Sequence, residues 1–232
     1  MVQRYFVIVF LGLMFSNLRA QHQDKVDFIH AEVNIQPLAD QKAIEGSVVY
    51  RFKVFQKVDS VFLDAQDMKF SAVLVNHKKA SFKVSKTKIA VYKNFKKNRS
   101  YSLTLEYLAK PRQTVYLLGG NDLPSGRQIW TQGQGKYTSH WLPSFDDMTE
   151  KVEFDLNISF NPKYEVIANG KLTKYKESDS LKTWSYDMQN PMSSYLLAFV
   201  IGQYDKQELI SENGLPIENY FYSKDSLKVE PT

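Results

Sequence analysis

The sequence contains no cysteine. That excludes disulfides, thiolate metal sites and a small stapled scaffold, so apolar burial has to stabilise the fold. Histidine is scarce: the four are His22, His30, His77 and His140. No two lie within five residues of each other, so the metal-binding H-E-x-x-H helix is missing. The nucleophile elbow G-x-S-x-G, the phosphate-binding P-loop and the dinucleotide fingerprint G-x-G-x-x-G are missing too. Helical periodicity of useful length, internal repeats and low-complexity tracts are absent. Apart from the first twenty residues, no apolar run approaches the ~20 residues needed to span a bilayer.

What is present begins with an amino-terminal leader. Arg4 precedes an apolar run over 5–15, and Ser16-Asn17-Leu18-Arg19-Ala20 leads into Gln21. Ala20 is the small residue expected before a signal-peptidase cut, although Leu18 stands where a second small residue is usual. The run is about half the length of a spanning helix. Residues 1–20 therefore read as a cleaved signal and not as a stable membrane anchor, and the product is expected in the periplasm or outside the cell. Residues 21–232 are long enough for one sizeable domain, given that domains run to ~100–200 residues.

The net charge is +5, and the leader carries two of the basic residues. The densest basic stretch, from Lys83 to Arg99, reads as the solvated face and turns of adjacent strands. No nucleic-acid motif accompanies it, so no nucleic-acid partner is expected.

Period-two alternation runs through most of the chain. Ile29, Ala31, Val33 and Ile35 alternate with His30, Glu32 and Asn34. Ile44, Val48, Tyr50, Phe52 and Val54 alternate with Glu45, Ser47, Arg51 and Lys53. The same pattern recurs over 101–107 and 152–160. Each segment reads as a strand with one buried and one wet face. Turn residues separate these runs at Leu38–Gln41, Asn76–Lys79, 94–98, 161–163, Asn169-Gly170 and 212–214. Asn169-Gly170 has the composition of a type I′ hairpin turn. Tyr195 to Ile201 reads as a short buried strand. The fold class is all-β, an antiparallel sandwich or saddle. One segment interrupts the alternation: residues 117–143 hold five glycines, two prolines and many amides and hydroxyls. Trp130, Tyr137 and Trp141 within it are expected to pack, which argues for an ordered, functional insertion.

Four blocks in this order carry a resemblance. They are Thr131-Gln132-Gly133-Gln134; Trp141-Leu142-Pro143-Ser144-Phe145-Asp146-Asp147; the strand Lys151 to Ile158 followed by Val166-Ile167-Ala168-Asn169-Gly170; and Pro191-Met192-Ser193-Ser194-Tyr195-Leu196-Leu197-Ala198-Phe199-Val200-Ile201-Gly202. The set resembles the amino-terminal domain of aminopeptidase N-like zinc metallopeptidases, a family that includes the leukotriene hydrolases. Asp147 and Met148 depart from the family's usual Glu-Pro, and Ser139-His140 occupies a region where the family usually has Arg.

The resemblance implies a β domain over 21–232 followed, beyond Thr232, by a catalytic domain. It implies zinc in the full-length enzyme but none in this chain. The implied partners are a peptide with a free amino terminus and the missing catalytic domain. It also implies that Gln134 accepts a hydrogen bond from the substrate's α-amine, an interaction an amide oxygen supports less strongly than a carboxylate. Gln132 is structural or lines the pocket for the first side chain. Asp146 and Asp147 read as caps for backbone amides. No catalytic or metal-binding residue is expected in the chain, and the fragment alone is expected to be inactive. Two other functions stay open: a free-standing secreted β-sandwich binding module, and a scaffold homologue that has lost its zinc ligands.

Overall fold

The computed structural model describes residues 25–119 and 126–229; the proposed signal over 1–20 lies outside them. The strands in chain order are β1 (Val26–Leu38), β2 (Ala43–Val54), β3 (Val58–Asp64), β4 (Lys69–Val75), β5 (Lys78–Lys79), β6 (Ser81–Val84), β7 (Lys88–Phe95), β8 (Arg99–Ala109), β9 (Val115–Leu118), β10 (Gln128–Thr131), β11 (Lys151–Phe160), β12 (Glu165–Ala168), β13 (Lys171–Glu177), β14 (Lys182–Ser193), β15 (Phe199–Gly202), β16 (Asp205–Ile210) and β17 (Pro216–Phe221). The four helical segments are all short 3-10 turns.

A large sheet has the order β13-β14-β11-β1-β2-β8-β4-β5. Its neighbours are antiparallel except β1 and β11, which run parallel with Ala31 opposite Phe154 and Val33 opposite Leu156. The registers place apolar residues on one face: Val33 lies opposite Val48, which lies opposite Leu105. That face is covered by the sheet β3-β7-β6, by the sheet β12-β15-β10-β9 and by the segment 138–146. Phe28 stacks on Phe52 at 4.8 Å and meets Phe145 at 4.7 Å; Phe52 meets Phe95 edge-on at 5.5 Å. Tyr50 donates its phenol to the carbonyl of Pro143 at 2.6 Å, and Tyr186 donates to that of Val166 at 2.5 Å, so polar links as well as rings join the layers.

The opposite face of the large sheet is polar and concave. His30 and Asp155 pair there at 3.0 Å beside Arg51, Glu153 and Asp187. The basic side chains of the stretch over 83–99 are solvent-exposed, while Ile89, Val91 and Phe95 between them face the core.

Three local expectations are corrected. Ile29 is 45 % exposed, because the register shifts between Phe28 and His30 and the extra residue turns outward. This is the two-against-one geometry of a β-bulge. Tyr195 to Ile201 is not one strand. Ser194–Leu196 forms a 3-10 turn that exposes Leu196, and β15 begins only at Phe199. Asn169-Gly170 is not a hairpin turn, since β12 and β13 belong to different sheets. A type I′ turn needs positive φ at both residues, and only Gly170, at 92°, has it. The Asn169 side chain instead accepts the Ala198 amide at 2.6 Å. A β-carbon on Gly170 would stand 2.4 Å from the Asp187 carbonyl, so this corner between sheets requires glycine. The two-residue turn with positive φ at both positions is Asn76-His77, joining β4 to β5.

Candidate functional site

β10 ends at Thr131 and leads into the loop that carries Gln132 and Gln134. Along Ile129, Thr131 and Gly133 the residues are buried, while Trp130 is half-buried and Gln132 and Gln134 are exposed. The alternation of a strand therefore carries on into the loop and puts both glutamines on one side.

The loop is pinned at each buried step. Thr131 accepts the Phe199 amide at 2.9 Å, and the Gln132 amide donates to the Thr114 carbonyl at 2.8 Å. Gly133 lies against the backbone of Tyr195, whose carbonyl would stand 2.9 Å from an added β-carbon. Thr138 donates to the Ser194 carbonyl at 2.9 Å. The first and last of the four sequence blocks thus meet here.

The second block locks the far end of the loop. Asp146 accepts the Tyr137 amide at 3.2 Å and the Ser139 hydroxyl at 2.8 Å. Its own amide donates to the Asp64 carboxylate at 2.9 Å. Backbone bonds between Asp64 and Ser144, at 2.8 and 2.9 Å, tie this segment to β3. Asp147 accepts both the amide and the hydroxyl of Thr149, which hold its carboxyl below the usual range. Both acids therefore serve as caps, although Asp146 reaches back to Tyr137 and not forward. Trp141 is fully buried edge-on to Phe199, whereas Tyr137 is 48 % exposed, its ring meeting that of His140 edge-on at 5.9 Å.

Beside the loop lies an open recess of about 320 Å³ lined by Gln113, Thr114, Tyr116, Gln132, Gln134 and Tyr137. Tyr116 stacks on Trp130 with centroids 4.0 Å apart, anchoring the recess to the β9–β10 pair. Gln113 donates its amide to Nε2 of His140 at 2.9 Å; burial holds that imidazole below its ordinary pKa and favours the neutral ring. Among the described residues, neither the Gln132 nor the Gln134 side-chain amide has a hydrogen-bond partner. The recess can accept or donate hydrogen bonds through these amides.

Glu150 closes the second block from behind. It is buried, accepts the Phe28 amide at 3.0 Å, and is pushed up to about 7 mainly by its burial. Among the described residues no group of three or more His, Asp or Glu side chains converges to hold a metal ion. His77 sits in the β4–β5 turn, and His30 pairs with Asp155 on the polar face, where the neighbouring Glu153 and Asp187 do not complete a convergent set. The residues described do not fit a zinc centre. Sequence reasoning names Gln132 and Gln134, which line this recess, but not Gln113, Thr114 or Tyr116, which reach it through the pairing of Tyr116 with Trp130.

The model of the peptidase M1 N-terminal domain family matches residues 25–196. The chain is 26% identical over 174 residues to a leucyl aminopeptidase of Saccharolobus solfataricus, covering 71% of this chain and 21% of the relative. It is 22% identical over 221 residues to a glutamyl aminopeptidase of Bos taurus, covering 85% and 23%. In fold it is similar to an M1 zinc metallopeptidase from Deinococcus radiodurans, with a TM-score of 0.71, 17% identity and coverage of 88% of this chain and 48% of that one. It is also similar to native yeast LTA4 hydrolase, with a TM-score of 0.76, 17% identity and coverage of 88% and 32%. The chain spans about a fifth of the length of the two aminopeptidases.

Proposed function

The chain belongs to the peptidase M1 family as its N-terminal domain, and from that premise we propose that it is the substrate-positioning part of an exported zinc aminopeptidase. The whole enzyme removes N-terminal residues from peptides with a free amine. The observation that carries this reading is the Gln134 side chain, an exposed amide with no hydrogen-bond partner among the described residues, on a loop pinned at Thr131, Gly133 and Thr138. A substrate ammonium needs an acceptor at a set place; the pinned backbone sets where the Gln134 side chain starts, and its amide oxygen is left open to accept. Fixing the amine restricts cleavage to the first peptide bond. Gln132, on the same side, lines the space beside it.

Zinc, held by the catalytic domain, supplies the activated water; the chain's own residues bind and orient the peptide. Exposed apolar side chains support a second domain covering part of this one. Tyr116, Leu118 and Leu196 lie close in sequence to the recess or the segments that pin it, and Ile210, Leu215 and Ile217 lie on the β16–β17 hairpin, where no residue is buried. Burying such side chains is favourable at ~25 cal/mol per Å² of apolar surface.

Expression of residues 21–232 alone and of the intact gene product read past Thr232 tests the reading. The intact product is expected to hydrolyse leucyl-p-nitroanilide in a zinc-dependent manner, and the domain alone is expected not to. Zinc-dependent hydrolysis by the pure domain refutes the division of labour.

A further inference from the structure

Seven residues other than glycine have positive φ among those described: Lys42, Asp67, Asn76, His77, Asn98, Thr114 and Tyr137. Asn, Asp and His tolerate that region, whereas a β-branched or bulky residue there is a true outlier. The two outliers by that standard, Thr114 at 69° and Tyr137 at 101°, meet each other. The Thr114 hydroxyl donates to the Tyr137 carbonyl at 3.4 Å, and both residues line the recess beside Gln134. Strain of this kind persists where the surroundings over-determine it, and it clusters at binding sites. Here the surroundings do so: the Tyr137 amide is held by Asp146, and its carbonyl also accepts the His140 amide. The outcome is a large ring kept half out in solvent at the rim of the recess, where a glycine would satisfy the backbone without strain.

We propose that Tyr137 is a specificity-determining residue, its ring forming a wall of the subsite for the first side chain of the peptide and favouring large neutral side chains over charged ones. This rests on the aminopeptidase reading above. Its second support is the chemistry of the lining. The recess is walled by aromatic rings, amides and a hydroxyl, with no charged side chain among them. The two cations adjacent in sequence to lining residues, Arg112 and Lys136, do not line the recess, and Lys136 acts on the Asp147 carboxylate. A charged side chain entering there loses hydration and gains no counter-ion. A flat apolar side chain gains ring contacts with Tyr137 and Tyr116.

The test uses the intact gene product with the p-nitroanilides of alanine, leucine, phenylalanine, glutamate and lysine. The expected wild-type order puts phenylalanine and leucine ahead of glutamate and lysine in kcat/KM. Tyr137→Gly removes the ring and relieves the backbone. It is expected to lower the phenylalanine-to-alanine ratio about tenfold, mainly through KM, the scale of one good ring contact, without lowering the melting temperature. Tyr137→Phe is expected to retain the ratio. An unmoved ratio in an active Tyr137→Gly enzyme overturns the assignment. So does a uniform loss on all five substrates together with a lower melting temperature, which marks a purely structural residue. If the wild-type product cleaves none of the five, the aminopeptidase reading itself fails and the subsite falls with it.

Discussion

Replacing Glu150 by glutamine should make the domain less sensitive to pH, with a sign opposite to that of a salt-bridged acid. Glu150 is 5 % exposed and sits behind the pinned segment, accepting the Phe28 amide. Burial raises its carboxyl from 4.5 to about 7; the Phe28 hydrogen bond opposes the rise, while Asp27 and Asp147 add to it. Between those values the folded state holds a proton that the unfolded chain has lost, so stability falls as pH rises. The contribution is fully present below about 4.5 and is lost as pH passes through about 7. At ~1.4 kcal/mol per pKa unit the gap corresponds to ~3 kcal/mol. Glutamine keeps an acceptor for Phe28 and cannot ionise. Urea unfolding, followed by the fluorescence of buried Trp141 and Trp184, should therefore give similar stabilities for the two proteins near pH 4.5. At pH 8.5 the variant should be more stable by ~3 kcal/mol. A difference that does not change with pH, or a wild type favoured at pH 8.5, would refute the reasoning.

Two tyrosines in the core should behave oppositely when their hydroxyls are removed. Tyr50→Phe strips the Pro143 carbonyl of its donor and should cost ~1–2 kcal/mol in urea unfolding. The buried Tyr107 hydroxyl has no partner among the described residues, so Tyr107→Phe should be neutral or stabilising in the same assay. Gly170→Ala should cost at least ~2 kcal/mol and lower the melting temperature, because it combines positive φ with a clash against the Asp187 carbonyl.

The sheet was legible because each long strand buries one face. The alternation over 152–160 is the burial pattern of β11, and 44–54 that of β2. Alternation does not reveal where an extra residue enters, so Ile29 misled. Asn169-Gly170 carried a genuine local turn signal, but the Asn169 side chain accepts the amide of Ala198, just before β15, and tertiary contact overrode it. The apolar run from Tyr195 was interrupted because Ser194 turns to bind the Phe145 carbonyl and to present its own carbonyl to Thr138. Gln132 and Gln134 were named from the resemblance of their block. The wall opposite them comes from Thr114 and Tyr116, and single-sequence periodicity does not say that β9 pairs with β10. The strain at Tyr137 is a backbone property that no residue type at that position announces.

The claim at the centre is that the Gln134 amide holds the amine of the substrate. Steady-state hydrolysis of leucyl-p-nitroanilide by the intact gene product, comparing wild type, Gln134→Ala and Gln134→Glu, tests it directly. Gln134→Ala should lower kcat/KM by about tenfold, the scale of one lost hydrogen bond to a charged group, and Gln134→Glu should lower KM by making that bond charge-assisted. Both variants staying within about twofold of wild type would contradict the account, since a bond to the ammonium cannot be lost or strengthened without effect.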